Sequence, residues 1–329
     1  MKKTTIIILC LLFTIFIIRQ AEAGKVNVVV TLPCLADITE QVGGDNVKVY
    51  SITRGVQDPH YIDAKPSYMV KLHKADLLIY SGLELEIGWL PLLIQGARNN
   101  KVTVGSEGNL NASSALHAEK ILEKPRGEVD RSMGDVHPAG NPHYLLNPQN
   151  AVHVAKLIAG RLSQIDSKNS AQYEQNYESF KKKVNEMMLE LGPKISRLKG
   201  KNLVCYHVHW SYLLDWLNIN TAGLIELRPG IPPTPKHKKF IIELMENKDI
   251  EVVIISSWKE PAKAREVAAA AGAKLVILPG EVSAMTGADD YLSWIDYMVS
   301  QLDNAFSGED QTASGQNRER NRKRIRGAR

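Results

Sequence analysis

The chain has 329 residues, 44% of them hydrophobic and 23% charged, with three cysteines. This composition belongs to a globular protein and excludes disordered, collagen-like and disulfide-stapled classes. The net charge of +5 sits at the ends, with +2 in residues 1–23 and +4 in residues 307–329, leaving −1 for residues 24–306. The body is therefore nearly neutral, and the overall charge is no sign of a nucleic-acid partner.

At the N-terminus, Lys2 and Lys3 precede an apolar run from Ile6 to Ile18, followed by Ala21-Glu22-Ala23. Positive residues, a short apolar stretch and small residues before the cut predict a secretory signal cleaved after Ala23. The run is shorter than the ~18–20 residues of a membrane span, and an uncleaved anchor is the alternative. Cys10 lies inside the apolar run, not after a small-residue cleavage site, which argues against a lipid-modified N-terminus. Cys34 and Cys205 remain in the mature chain, where an oxidising compartment permits their pairing without requiring it.

From Val26 onward, β-branched runs alternate with helical periodicity. Val26–Thr31, Val47–Thr53, Asp76–Ser81 and Lys101–Gly105 read as strands. Leu35–Val42, closed by Gly43-Gly44, then Pro66–Lys74 and Glu86–Ala97 read as the helices between them. Residues 107–136, with Glu119, Glu123, Glu128, Asp130 and Asp135, lack periodicity and read as a surface loop. After Asn150–Leu162 comes a helical stretch from Ser167 to Leu198; about 25 such residues would span roughly 38 Å, a rigid connector as tall as two lobes.

The second series repeats the plan with strands Leu203–His207, Thr221–Leu227, Val252–Ser256 and Lys274–Leu278. Its helices are Ser211–Leu217, Pro235–Asn247, Ala262–Ala271 and Asp289–Ala305. Asp289 and Asp290 are placed to cap the last helix, and Trp210, Trp216, Trp258 and Trp294 read as packing of this lobe. The predicted fold is α/β, with a mainly parallel sheet in each lobe and helices on its faces. The expected division is 1–23 signal peptide, 24–166 N-terminal lobe, 167–198 connecting helix, 199–306 C-terminal lobe and 307–329 a basic, disordered tail.

Four of the nine histidines follow predicted strands or lie in loops beside them. His60 sits in Asp58-Pro59-His60, His143 in Asn141-Pro142-His143, and His207 and His209 directly follow Leu203–Tyr206. Ligands of open α/β sheets bind outside the carboxyl ends of the strands. A proline before a histidine restrains its backbone, and neutral imidazole suits Zn²⁺, Cu and Ni. No HExxH or CxxC spacing accompanies them, so these residues alone leave a metal site and ordinary hydrogen-bonded histidines both open.

The chain resembles the periplasmic solute-binding proteins of zinc and manganese ABC transporters, from about Val26 to Ala305. The resemblance is carried by Val42-Gly43-Gly44-Asp45, Asp58-Pro59-His60, Ala75-Asp76-Leu77-Leu78-Ile79-Tyr80-Ser81-Gly82-Leu83-Glu84, Gly140-Asn141-Pro142-His143, Tyr206-His207 and Gly287-Ala288-Asp289-Asp290-Tyr291. It implies two lobes joined by a long helix, with one metal ion in the interlobe cleft. Carried over residue by residue, the ligands are His60, His143, His207 and, at the family's acidic position, Glu281. There the sequence departs from the family, with Glu for the commoner Asp and a shorter spacing to Asp289.

Zinc-binding members often carry a His-rich loop before the second ligand, whereas that region here holds only His117 and His137 among acidic residues. His137 reads as an occasional loop ligand, and His209 as either a substitute ligand or a histidine packed near Trp210. Three imidazoles and a carboxylate favour Zn²⁺ over Mn²⁺ as the transported ion. Four protein ligands would hold a metal without activating water, so the expectation is capture and not catalysis. The implied partner is the membrane permease of an ABC transporter, with a metallochaperone as a second candidate, no nucleic acid and a monomeric state. Two alternatives remain: a zinc hydrolase with Glu281 as general base, and an adhesin using the basic tail.

Overall fold

A computed structural model describes residues 24–125, 137–227 and 231–307. The expected signal peptide, Glu128, Asp130 and Asp135 of the 107–136 loop, and the basic tail beyond Ser307 lie outside the described residues.

The first lobe is built from β1 (Val26–Val30), α1 (Pro33–Gly43), β2 (Val47–Ser51), α2 (Pro66–His73), β3 (Leu77–Tyr80), α3 (Leu90–Ala97) and β4 (Asn109–Asn111). Its strands form a parallel sheet in the order β2-β1-β3-β4. Helix α4 (Pro148–Ile165) and the long α5 (Ser170–Leu198) lead to the second lobe. There β5 (Asn202–Cys205), α6 (Ser211–Leu217), β6 (Asn220–Leu224), α7 (Pro235–Asn247), β7 (Val252–Ser256), α8 (Ala262–Ala270), β8 (Lys274–Leu278) and α9 (Tyr291–Ser307) follow. The second sheet is again parallel, in the order β6-β5-β7-β8.

Local chemistry explains most boundaries. Proline stands in the first turn of α1, α2, α3, α4 and α7, where its fixed φ suits a helix start and its missing N–H goes unmissed. Gly44, at φ 54°, ends α1 in the left-handed region that a residue with a Cβ disfavours. At α9, Asp290 Oδ1 accepts from the Ser293 N–H at 2.7 Å while Ser293 Oγ accepts from the Asp290 N–H at 3.0 Å, a reciprocal cap.

Helix α5 buries one stripe, Tyr173, Tyr177, Phe180, Val184, Met187, Leu191 and Leu198, at alternating steps of four and three residues up to Leu191. Its 29 residues span about 43 Å at 1.5 Å per residue. Pro193 lies inside it on the exposed side, where water can serve the carbonyl that loses its donor. The stripe belongs to one apolar core that continues from Val28 and Leu35 in the first lobe to Trp294 and Met298 in the second. Smaller clusters fill the outer faces, around Leu72 and Trp89 on one side and Ile241 and Val253 on the other.

One strand was misplaced by the sequence. Lys101–Gly105 is not a strand: Asn99 accepts from the Lys101 N–H and starts a 3₁₀ turn, Val102 is buried and Val104 is exposed. The fourth strand is the polar Asn109–Asn111, paired with β3, whose only inward residue is Leu110. The helix expected from Glu86 begins at Leu90, because Glu86 turns inward to accept from Thr31 Oγ1 and from the Ser81 and Gly82 N–H groups.

Candidate metal centre

Two segments use one device to aim an imidazole. Asp58 Oδ1 accepts from both the backbone N–H and Nδ1 of His60, at 3.2 and 2.7 Å. Asn141 Oδ1 does the same for His143, at 2.9 and 3.1 Å. An acceptor two residues before the histidine, with proline between, holds the proton on Nδ1 and makes Nε2 the acceptor nitrogen; in His60 that nitrogen faces His137. His207, after β5, has Nδ1 3.1 Å from Glu226 Oε2, within ion-pair distance though not aligned as a hydrogen bond.

These imidazoles come together with two more. The ring centres of His60 and His143 are 5.2 Å apart, and those of His60 and His137 are 5.3 Å apart. His60 Nε2 and His137 Nε2 stand 3.3 Å from each other. His209, 4% exposed, lies edge-on to His143 at 4.1 Å, and also edge-on to Trp210 and Trp258. His207 is close enough for its charge to bear on both His143 and His209. His143 Nε2 and His209 Nε2 are enclosed without a hydrogen-bond partner. Each such orphan costs about 1–3 kcal/mol, a cost that coordination of a cation would remove.

The electrostatics keep the rings ready to coordinate. Burial, and then the surrounding imidazoles, push His143 and His209 well below the ordinary histidine value, so both are neutral. Asp58 is held the other way: burial would raise it, but its hydrogen bond to His60 and the charges of His60 and Lys259 keep it far below the usual carboxylate range. Lys259, from the second lobe, reaches Asp58 at 3.1 Å. As they stand, no three His, Cys, Asp or Glu side chains among the described residues surround one point as a bound ion requires, so binding needs ring rotations.

Glu281 is engaged elsewhere. Its Oε1 accepts from the N–H groups of Cys34 at 3.1 Å and Val282 at 2.8 Å, and its Oε2 lies 3.3 Å from Cys34 Sγ. Among the described residues no hydrogen bond or ion pair joins it to an imidazole. Its burial raises its pKa to about 7. The two cysteines are unpaired thiols: Cys34 faces Glu281, and Cys205 lies 3.9 Å from Thr221 Oγ1.

The lobes meet in direct contacts around the histidines. Asn141 Nδ2 donates to Val208 O and to Glu123 Oε2, Ser211 donates to Glu123 Oε1, and Tyr212 Oη donates to Asn141 O while accepting from the Leu122 N–H. Tyr291 Oη donates to Leu145 O. Gly55 lies so close to the second lobe that a Cβ there would fall 2.2 Å from Val282 O.

Sequence reasoning named the histidines but missed Asp58, Asn141, Glu226 and Lys259 as their partners. The signal for two of them was present in the paired Asp-Pro-His and Asn-Pro-His segments. Glu226 and Lys259 carry none, because each reaches the site only through the order of the second sheet.

Three comparisons bear on what this arrangement does. The family model described as zinc-uptake complex component A, periplasmic (ZnuA), matches residues 28–305. The metal ABC transporter substrate-binding lipoprotein ScbA of Streptococcus cristatus is 28% identical over 246 residues, 72% of this chain and 74% of that protein. The corresponding lipoprotein SloC of Streptococcus mutans is 24% identical over 319 residues, 93% and 100% of the two chains. The manganese ABC transporter lipoprotein PsaA of Streptococcus pneumoniae is 27% identical over 243 residues, 72% and 74%. Among solved structures, a zinc-bound deletion mutant of ZnuA superposes with a TM-score of 0.70 at 24% identity, covering 85% of this chain and 98% of that one. A cadmium-bound periplasmic metal-binding protein of Candidatus Liberibacter asiaticus gives 0.68 at 20% identity, over 85% and 99%.

Proposed function

Because the chain belongs to the periplasmic zinc-uptake component A family, we propose that it captures Zn²⁺ between its lobes through His60, His143 and His207. It is the metal-binding component of an ABC transporter, acting outside the cytoplasm and delivering to a membrane permease and its ATPase. The family consists of solute-binding proteins, not enzymes, so the hydrolase alternative falls away. Export through cleavage after Ala23 and residence in the periplasm complete the proposal.

The observation that carries it is the pair of Asx-held imidazoles, His60 and His143, brought together from separate loops with their Nε2 atoms turned inward. The preference for zinc rests on donor type: imidazole suits Zn²⁺, whereas Mn²⁺ favours oxygen ligands, and some relatives are named for manganese. The test is elemental analysis of the untagged mature protein, then zinc and manganese titration of the chelator-stripped form and of H60A, H143A and H207A. One tight zinc equivalent, sharply weakened in each variant, is the expected result. Variants that bind unchanged refute the assignment.

A further inference from the structure

We propose that the fourth ligand is the imidazole of His137, which closes a nitrogen-only site, and that Glu281 serves as a latch between the lobes. This rests on the reading of the cleft as a cation site. Two imidazoles on a tetrahedral zinc ion, with Zn–N of about 2.0–2.1 Å, place their nitrogens about 3.3 Å and their ring centres about 5.2 Å apart. His60 and His137 are already drawn together by a hydrogen bond between their Nε2 atoms, at 3.3 Å and with ring centres 5.3 Å apart, so an ion that displaced the shared proton would find both nitrogens at the spacing it needs. The pair His60 and His143 meets the spacing of ring centres, at 5.2 Å.

His209 is the rival imidazole, and its geometry differs. Its centre is 4.1 Å from that of His143, nearer than two ligands of one tetrahedral ion stand, and Trp210 and Trp258 present their rings edge-on to it. It backs His143 as a positioning residue. Glu281 is the other rival. Its oxygens take hydrogen bonds from Cys34 at the start of α1, so the carboxyl ties the loop after β8 to the first lobe. Pulling it toward the imidazoles would strand the Cys34 and Val282 N–H groups.

Replacing the family's acidic ligand by nitrogen changes selectivity. A nitrogen-only site discriminates against Mn²⁺ more strongly than one with a carboxylate. The test uses the chelator-stripped mature protein, competitive Zn²⁺ and Mn²⁺ titration, and the visible absorption of bound Co²⁺, which reports the donor set. H137A is expected to weaken zinc at least about 100-fold, beyond the 10–100-fold typical of an outer partner, and to shift the Co²⁺ bands. H137D is expected to raise the Mn²⁺-to-Zn²⁺ affinity ratio at least about tenfold, and E281Q to leave zinc affinity and the Co²⁺ spectrum unchanged. Loss of zinc in E281Q or H209A, with H137A unaffected in affinity and spectrum, overturns the proposal. H60A separates the two levels: if it too binds normally, the cleft is not the cation site and the underlying reading fails with it.

Discussion

The carboxyl of Glu281 offers a sharp test of the interlobe packing. It is 5% exposed and its burial raises its pKa from the ordinary 4.5 to about 7. Between those values the folded protein keeps a proton that the unfolded chain has released. Its stabilising contribution is therefore complete below pH 4.5 and is lost as pH rises through 7. The interval from 4.5 to about 7, at about 1.4 kcal/mol per pH unit, amounts to roughly 3 kcal/mol. E281Q keeps an oxygen for the Cys34 and Val282 N–H groups, has the same shape and cannot ionise. Thermal unfolding of metal-free wild type and E281Q across pH 4.5 to 8 reads the difference. The two should melt together at the acid end and diverge as pH rises, with the variant about 6 °C higher at pH 8, taking roughly 2 °C per kcal/mol for a protein of this size. A melting difference that stays constant with pH would refute the buried, proton-holding carboxyl.

Other expectations follow from single contacts. D58N removes the charge that holds the His60 proton on Nδ1 and should weaken zinc about 10–100-fold in a competitive chelator titration, with the circular dichroism spectrum unchanged. Zinc affinity should fall on acidification, because every coordinating imidazole must be neutral, and for His143 burial places that fall below the ordinary histidine range; titrations from pH 7.5 down to the acid limit of folding would show the trend, and a flat profile over that whole range would exclude an imidazole site. G55A puts a methyl group 2.2 Å from the Val282 carbonyl oxygen, a backbone obstacle that cannot rotate aside. It should cost about 1–3 kcal/mol, as overpacking does, measured by urea unfolding.

The fold was legible wherever burial and periodicity agreed. β7 and β8 were delimited to the residue, and α7 from Pro235 to Asn247, because apolar runs or proline punctuation mark their ends. Lys101–Gly105 failed because Val102 and Val104, which a strand would place on one face, separate into one buried and one exposed side chain. The true edge strand, Asn-Leu-Asn, has one inward side chain and no pattern to detect. At the candidate site, motifs singled out His60, His143 and His207, and the structure brings these imidazoles near one another. The meeting of His137 with His60 was not, since it depends on where a loop without periodicity returns. The departure at Glu281 was visible, but its use depends on Cys34, 247 positions away in the chain.

The long α5 and the core that runs along it also set terms for traffic with the membrane. Two lobes sharing one apolar interior, and pinned across their rim by backbone contacts such as that at Gly55, leave little freedom for one lobe to swing away from the other. Because a wide opening of the cleft would have to split that shared interior, release of a bound ion would fall to the loops that carry the histidines.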